Sequence, residues 1–353
     1  MAQLFDPIVI RGVEIRNRAW VSPMCQYSAT DGIVGEWHHV HLGGFATGGA
    51  GLIMAEATGV VAEGRISIGC PGIYNDSQVA AWEPIVSFVH SMGSKIGIQL
   101  AHAGRKAGTL VPWVDRRMAT PEEGGWQAVA PSAIAFEGYP EPRALTILEI
   151  QELVKSFGLA AKRAVAAGFD LVEIHAAHGY LLHEFYSPLS NHRTDEYGGN
   201  FDARTRFLRQ VVEEVRSSIP VTAPLFVRIS ASDWIDGGWT IEDSVHLAHD
   251  LAQLGVDLID ASSGGNISNA KIAVGPGYQV PFSAAIKAGA PILTCAVGMI
   301  TDPQQANEII ESGRADAVML AREFLRNPRW PLHAANILGA DIKWPVQIER
   351  GKL

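Results

Sequence analysis

Polar residues that could take part in chemistry occur at one recurring kind of position, directly after short apolar runs. They are Ser22–Cys25, Glu56–Thr58, Gln99, His102, His175, His178, Arg228, Ser262, Gly298 and Arg322. If the apolar runs are parallel strands that close into a barrel, all of these residues meet at one end of it. Barrel active sites lie at that end, so the pattern predicts one shared site rather than unrelated polar groups.

The histidines His175 and His178 suggest one specific chemistry from their spacing alone. Together with His102 or Glu184, the two imidazoles could bind zinc, as in a metal-dependent barrel hydrolase. The Gly-Tyr sequence that follows His178 fits such a centre poorly. A zinc hydrolase therefore stands as an alternative rather than as the preferred interpretation.

A repeated sequence pattern indicates joints between helices and strands. A glycine is followed within a few residues by a turn residue and an apolar run, at Gly168–His175, Gly255–Ala261 and Gly313–Leu320. Glycine suits the left-handed residue just beyond a helix, and short apolar runs suit strands buried on both faces of a parallel sheet. Helix starts are indicated by the capping boxes Thr146–Glu149 and Thr240–Asp243.

Eight apolar runs alternate with helical segments, which predicts an α/β fold, a single (β/α)8 TIM barrel spanning residues 1–353. A hairpin of Ile8–Ile10 and Val13–Ile15 is expected to cap the bottom of the barrel. Long loops at Ala103–Pro142 and Leu181–Phe201 are expected at the C-terminal face, where such loops usually shape a pocket. The predicted strands are Ala19–Val21, Leu52–Ala55, Ile96–Leu100, Leu171–His175, Leu225–Ile229, Leu258–Ala261, Ile292–Thr294 and Ala317–Leu320.

Composition and charge exclude several classes of protein. The net charge of −9 is mild, and no run of basic residues could neutralise phosphates along a duplex, so we expect no nucleic-acid partner. Neither a membrane span nor a signal region is recognisable, so we expect a cytoplasmic protein without membrane contact. Cys25, Cys70 and Cys295 are widely separated and lack Cys-x-x-Cys spacing, so we expect neither a metal cluster nor a disulfide framework.

Three motifs resemble the old yellow enzyme family: Ser22-Pro23-Met24-Cys25-Gln26-Tyr27, His175-Ala-Ala-His178-Gly-Tyr180 and Thr194-Asp-Glu-Tyr-Gly-Gly-Asn200. The cysteine of the first motif is typical of its thermophilic-like class, which includes xenobiotic reductases and bacterial NADPH dehydrogenases. The resemblance runs from Leu4 almost to the C-terminus. It implies an FMN-dependent ene-reductase that takes hydride from NADPH or NADH and reduces activated C=C bonds of small electrophilic alkenes.

By the same resemblance, FMN is bound non-covalently by residues near the strand ends, namely Ser22, Pro23, Met24, Cys25, Ala57, Gln99, Arg228, Gly298, Ala321 and Arg322. The amide of Gln99 suits the pyrimidine edge of the flavin, because it donates and accepts hydrogen bonds at once. The guanidinium of Arg228 would stabilise negative charge on the reduced ring. Gly298 and Arg322 follow strands seven and eight, where barrels usually bind phosphate.

The resemblance also assigns the substrate side of the site, to His175, His178, Tyr180, Tyr27 and Cys25. The two histidines would hydrogen-bond a carbonyl or nitro oxygen and polarise the conjugated double bond, and Tyr180 would protonate the α-carbon. Tyr27 would contact the substrate. Cys25 would tune the flavin potential rather than act as a nucleophile.

The C-terminal motif Gln347-Ile-Glu-Arg350-Gly resembles a family ending in which an arginine of one subunit reaches the neighbouring active site. It implies a homodimer or homotetramer in which Arg350 lines the partner's pocket. A non-enzymatic flavin store or sensor stays open as a further alternative. A dienoyl-CoA reductase is disfavoured, because three scattered cysteines cannot ligate the iron–sulfur cluster of that class.

Overall fold

The computed structural model describes residues 3–352. The chain begins with the predicted hairpin, in which β1 (Ile8–Ile10) pairs antiparallel with β2 (Val13–Ile15). Its apolar face packs beneath the barrel with Trp20 and Phe226, whose stacked rings have centroids 6.0 Å apart. The hairpin caps the bottom as predicted, because this packing removes apolar surface of both parts from water.

The remaining strands are, in chain order, β3 (Ala19–Val21), β4 (Leu52–Gly59), β5 (Lys95–Ala101), β6 (Val129–Ala130), β7 (Arg143–Ala144), β8 (Leu171–Ala176), β9 (Leu225–Ser230), β10 (Leu258–Ser262), β11 (Leu293–Val297) and β12 (Ala317–Leu320). All except β6 and β7 form one closed parallel barrel, in which β12 pairs back with β3. The predicted (β/α)8 barrel is therefore confirmed. Several strands run further than predicted at their C-terminal ends, β4 by the most.

The α-helices are, in chain order, α1 (Glu36–Thr47), α2 (Asp76–Ser91), α3 (Ile147–Ala166), α4 (Leu181–Tyr186), α5 (Phe201–Ser218), α6 (Ile241–Gln253), α7 (Val280–Gly289), α8 (Pro303–Glu311), α9 (Arg322–Arg326) and α10 (Trp330–Leu338). Thr146 and Thr240 cap α3 and α6 as predicted, each accepting a hydrogen bond from the backbone N–H three residues later. The helix-to-strand joint is also confirmed at Gly168, whose φ of +92° favours glycine.

Two segments predicted as loops contain regular structure. Between β5 and β7 the chain forms the 3-10 turns Gly104–Lys106 and Pro121–Glu123 as well as β6. After β8 it forms α4, whose six residues are all buried. Polar His183 and Glu184 interrupt the apolar pattern of α4, so the sequence alone suggested a loop. Tertiary packing against α5 stabilises this short helix, which would be marginal in isolation.

Candidate active site

A cleft of about 350 Å³ opens at the C-terminal ends of the barrel strands. The loops after β11 and β12 form its outer part, which is the usual place for a phosphate in such barrels. Predicted site residues from both ends of the chain line it, namely Ser22, Pro23, His178, Arg228, Gly298, Ala321 and Arg322. The closed barrel therefore brings these distant positions together, as the strand-end pattern predicted.

Arg228 on β9 lines this cleft and belongs to a buried network of charged side chains. Its guanidinium donates to Asp260 on the neighbouring β10, with an Nε–Oδ2 distance of 2.6 Å, and to the hydroxyl of Ser22 at 2.8 Å. A carboxylate oxygen of Glu173 on β8 lies 4.0 Å away. Strand register explains the grouping, because Arg228 pairs across the sheet with His175 on one side and Asp260 on the other.

Glu173 and Asp260 are site residues that sequence reasoning missed, although each was visible as a lone carboxylate within an apolar strand. Burial, with a smaller contribution from Asp260, raises the pKa of Glu173 to about 8. Gln99 donates to it at 2.8 Å. Burial alone would lower the pKa of Arg228, but attraction to Asp260 and Glu173 outweighs it and raises the pKa. Arg228 therefore stays positively charged.

The outer part of the cleft suits an anionic group. Arg322 and Arg326 line it together with Glu323, which pairs with Arg326 at 2.6 Å. Gly298 has a φ of +122°, and a Cβ at this position would lie 2.9 Å from Gln279, so the turn requires glycine. Guanidinium groups beside backbone without a side chain are what a phosphate needs. These residues fit the phosphate end of FMN.

A second cavity, of about 400 Å³, lies at the same end of the barrel. The segment between β5 and β7 supplies most of its wall, so this long segment shapes a pocket as expected. The lining is largely aromatic and apolar with two basic residues, namely Tyr27, Ile66, Lys106, Thr109, Leu110, Pro112, Arg116, Phe136, Tyr139 and Tyr180. A cavity of this kind binds a small molecule with an apolar body and a few polar groups.

The predicted catalytic residues His175, His178 and Tyr180 lie close together, with His178 on the cleft and Tyr180 on the second cavity. The ring of His175 has its centroid 5.2 Å from that of His178 and 5.0 Å from that of Tyr180, edge-on in both cases. Burial lowers the pKa of both histidines well below the ordinary value and raises the pKa of Tyr180 well above it. All three side chains are therefore neutral at pH 7, with protons to donate.

Hydrogen bonds orient both histidine rings. Nδ1 of His175 accepts from the N–H of Ala177 at 3.3 Å, which leaves the ring proton on Nε2. Nε2 of His178 lies 2.7 Å from the hydroxyl of Ser262. The backbone of His178 has a φ of +60°, and its N–H donates to Ser230 at 2.8 Å. The strand ends β8, β9 and β10 thus hold the histidine pair from three sides.

Lys106 is a further contact of the site that sequence reasoning missed. Its ammonium donates to the carbonyl oxygens of His178 at 2.6 Å and Gly265 at 2.8 Å. The ammonium also lies 4.9 Å from the ring centroid of Tyr180 and 4.7 Å from that of Phe136. Burial lowers the pKa of Lys106 to about 8. A loop lysine is normally solvent-exposed, so nothing in the sequence pointed to this position.

The other predicted flavin contacts line neither cavity. Met24 is partly buried against the main core, while Cys25 and Ala57 pack in a small cluster that includes Tyr27 and Tyr180. Gln99 is buried and hydrogen-bonded to the carboxyl of its strand neighbour Glu173. These residues lie around the predicted site, and their roles toward a flavin stay predictions.

The fold brings together two cysteines that are widely separated in the sequence, Cys25 and Cys70, so the sequence spacing gave no sign of their proximity. The sulfur atoms of Cys25 and Cys70 and a carboxylate oxygen of Glu56 all lie within 4.8 Å of one another. Across residues 3–352 this is the only group of three or more possible metal ligands so closely spaced, and neither His175 nor His178 belongs to it. The histidine pair therefore has no third ligand placed for the alternative zinc centre.

Arg350 lies in an exposed 3-10 turn, Glu349–Gly351, and lines neither cavity of its own chain. The end of the chain is attached to the preceding segment by an ion pair of Lys352 with Asp341 at 2.5 Å.

The buried carboxyl of Glu184 leads to a prediction about stability and pH. Its Oε1 accepts from the N–H of Arg105 at 2.9 Å, and burial raises its pKa to about 8 from an ordinary value of 4.5. A carboxyl whose pKa is higher in the folded than in the unfolded protein stabilises the fold most at pH values below its unfolded pKa. This stabilisation is lost as the pH rises to about 8. For a single group the loss is about 1.4 kcal/mol per pH unit between those limits.

We therefore expect Glu184→Gln to flatten the pH dependence of the free energy of unfolding by about that slope, because the amide does not titrate. Urea unfolding of the FMN-loaded protein between pH 5 and pH 8 measures it. The matched control is Glu213→Gln, whose side chain is exposed on α5. Parallel pH curves for wild type and Glu184→Gln would show that Glu184 is ionised in the folded state.

The fold and the two cavities define a class of protein, a (β/α)8 barrel with an arginine-lined cleft beside a neutral His-His-Tyr group. The profile of the NADH:flavin oxidoreductase / NADH oxidase family matches residues 3–339. The chain belongs to this family.

Individual relatives agree with this assignment. The chain is 50% identical over 351 residues to an NADPH dehydrogenase of Geobacillus sp., covering 99% of this chain and 98% of the relative. It is 47% identical over 352 residues to an NADPH dehydrogenase of Bacillus subtilis, with 99% of each covered. Among solved structures, morphinone reductase in complex with tetrahydroNAD superposes with a TM-score of 0.80 at 30% identity, covering 98% of this chain and 93% of that one.

An old yellow enzyme homologue from Zymomonas mobilis gives a TM-score of 0.79 at 31% identity, with 98% of this chain and 95% of that chain covered. These similarities confirm the resemblance to old yellow enzymes. The protein is an oxidoreductase that uses FMN and takes its electrons from NAD(P)H. Along residues 3–352, no helix combines the length and the apolar character that crossing a bilayer requires.

Proposed function

We propose that the protein is an ene-reductase, which reduces the activated C=C bond of α,β-unsaturated carbonyl, nitro and related xenobiotic compounds. The observation that supports this most is the neutral group of His175, His178 and Tyr180, in which the His175 ring lies edge-on to each of the other two. Two adjacent hydrogen-bond donors suit one substrate oxygen, and a neighbouring neutral phenol suits delivery of one proton.

The cofactor side of the proposed site uses the cleft. Gly298, Ala321 and Arg322 would hold the FMN phosphate, while Gln99 and Arg228 would contact the polar edge of the ring. Ser22 and Pro23 of the cleft, together with the neighbouring Met24, Cys25 and Ala57, would surround the rest of the flavin ring. When bound, FMN would supply hydride transfer from NADPH or NADH to the substrate. Arg228 would favour hydride uptake by the flavin, because its permanent positive charge would stabilise the negative charge that develops on the ring.

On the substrate side, His175 and His178 donate hydrogen bonds to the carbonyl or nitro oxygen. Their donation draws electron density toward that oxygen, so the β-carbon accepts hydride more readily. Tyr180 then donates its phenolic proton to the α-carbon. The ammonium of Lys106, 4.9 Å from the Tyr180 ring, stabilises the negative charge left on the phenol oxygen.

Two residues complete the proposed pocket without taking part in proton transfer. Tyr27 lines the second cavity and contacts the substrate body. Cys25 packs in the cluster beside Tyr27 and Tyr180 and tunes the flavin potential through its sulfur. We assign no nucleophilic step to Cys25, because a hydrogen bond to Cys70 and burial raise the pKa of its thiol well above the ordinary value.

Anaerobic half-reactions test the proposed function directly. We expect the purified protein to contain non-covalent FMN, to be reduced by NADPH or NADH, and to be reoxidised by enones, maleimides and nitroalkenes. Release of FAD instead of FMN would contradict the proposed cleft. Reduction without reoxidation by any of these compounds would favour a flavin store or sensor over an ene-reductase.

We further propose that the C-terminal turn acts across a two-fold interface of a homodimer or homotetramer, with Arg350 lining the partner's second cavity. Its exposure on its own chain and its position in a tail held by one ion pair support this arrangement. A closed two-fold dimer would exchange two such tails symmetrically. An arginine at the cavity mouth would attract substrates with a partial or full negative charge.

Arg350→Ala should therefore raise KM for enones with little change in kcat, because it removes a binding contact and leaves the proton donor in place. Truncation after Pro345 should have the same effect and weaken the oligomer. Steady-state kinetics and sedimentation at several protein concentrations measure both effects. Lys343→Ala, exposed in the same tail, is the matched control. Wild-type KM and wild-type assembly for both variants would contradict the proposal.

A further inference from the structure

The cysteines Cys25 and Cys70 converge on one carboxylate. Cys25 follows β3, Cys70 lies in the loop after β4, and Glu56 lies within β4. One donor atom of each lies within 4.8 Å of the other two. Three residues from separate segments thus present two sulfur atoms and one oxygen to the same small volume.

The backbone of β4 explains why Glu56 faces the cysteines. The pairing of β4 with β5 shifts register between Ala55 and Ala57, so Glu56 is the extra residue of a β-bulge. A bulge re-aims the side chain at its position, and bulges are frequent next to active sites. Without the bulge, the Glu56 side chain would follow the regular alternation of β4 side chains between the two faces of the sheet.

One backbone hydrogen bond holds the carboxylate of Glu56, and a buried histidine ring lies beside it. One oxygen, Oε2, accepts from the N–H of Gln26 at 2.8 Å, and the other, Oε1, lies 3.4 Å from Nε2 of His38. Nδ1 of His38 accepts from the N–H of Gly35, so the ring proton sits on Nε2 and faces Glu56. A buried histidine N–H beside a carboxylate is the kind of outer contact that orients metal-binding carboxylates.

We propose that Cys25, Cys70 and Glu56 form a binding site for a thiophilic divalent cation such as Zn²⁺. Zinc accepts sulfur ligands at about 2.3 Å and carboxylate oxygen at about 2.0–2.2 Å, so the ligand atoms of one ion lie roughly 3.5–4 Å apart. The observed spacing requires only small movements of the three side chains. The thiols bind as thiolates, so two protons leave for each ion bound.

Three protein ligands leave the fourth position of the ion for water or a small molecule, because His38 already has its proton directed at Glu56. Cys25 also belongs to the segment proposed to line the flavin, and Cys70 packs in the cluster that contains Tyr27 and Tyr180. An ion at this site would tie that segment to β4. The binding site itself does not depend on the proposed substrate class.

Equilibrium dialysis of the reduced, FMN-loaded protein against Zn²⁺, followed by metal analysis, tests the site. We expect one Zn²⁺ per chain, and Cd²⁺ in its place should give a sulfur-to-metal absorption band in the ultraviolet. Cys70→Ser and Glu56→Gln should each weaken binding at least ~10-fold. Cys295→Ser, which changes the buried cysteine of β11 outside this group, should leave stoichiometry and affinity unchanged.

Retention of FMN and a wild-type circular dichroism spectrum identify variants that are folded. Zinc binding unchanged in both Cys70→Ser and Glu56→Gln would overturn the proposal, as would loss of binding in Cys295→Ser alone. Absence of stoichiometric Zn²⁺ from the reduced wild type would overturn it as well. Failure of the ene-reductase assay with metal binding intact would contradict the proposed function and leave the metal site standing.

Discussion

Tyr180→Phe should slow reoxidation of the reduced protein by enones by about 10²–10⁴-fold, the usual contribution of a positioned general acid. Reduction by NADPH should stay nearly unchanged, because only the oxidative half-reaction consumes the phenolic proton. The substitution keeps the ring that packs against His175 with centroids 5.0 Å apart, so the site should keep its shape. Anaerobic stopped-flow measurement of the two half-reactions separates the effects.

Two comparisons make this prediction specific to proton donation. Tyr139→Phe removes a hydroxyl from the same cavity and should leave both half-reactions close to wild type. Nitroalkenes should be reduced by Tyr180→Phe with a much smaller loss than enones, because the nitro group stabilises the charge that the α-carbon gains. An equal loss in both half-reactions, or an equal loss with Tyr139→Phe, would indicate a structural role for Tyr180.

The double variant His175→Ala/His178→Ala should lose the long-wavelength charge-transfer band that we expect when a phenol binds over the flavin. A hydrogen bond to a charged group contributes about 1.5–3 kcal/mol, so removing two donors should weaken phenolate binding at least ~100-fold. FMN should remain bound, because the residues proposed to hold its phosphate lie after β11 and β12. Titration with a para-substituted phenol, followed spectroscopically, measures both quantities.

Surface histidines provide the control for this prediction. His192→Ala/His249→Ala removes the same number of imidazoles from exposed positions and should leave the band unchanged. The single variants should each lose part of the affinity, since both rings are neutral and each has a proton to donate. A band of unchanged position and strength in the double variant at His175 and His178 would place the oxyanion site elsewhere.

Lys106 connects these two predictions, because it contacts both the histidine loop and the tyrosine. It donates to the carbonyl of His178 and lies over the ring of Tyr180. Its buried ammonium makes a phenolate at Tyr180 less costly in a site where burial alone raises the pKa of the phenol. Such a contact depends on the path of the loop after β5. No residue spacing in the sequence could have predicted it.

Local rules determined the elements of this protein well. All eight barrel strands were predicted within a few residues, because strands buried on both faces of a parallel barrel are short apolar runs whatever their partners are. Capping at Thr146 and Thr240 depends on contacts three residues apart, which the sequence displays directly. Helix α4 escaped prediction because its stability comes from tertiary burial rather than from its own pattern.

The location of the site was also determined by the sequence, since parallel strands that close into a barrel must place their C-terminal ends together. Which side chains meet there was decided only by the tertiary structure. Register pairs Arg228 with Asp260, and Gln99 with Glu173. A bulge turns Glu56 toward Cys25 and Cys70. Register and bulges depend on pairing between strands far apart in the chain, so no local pattern encodes them.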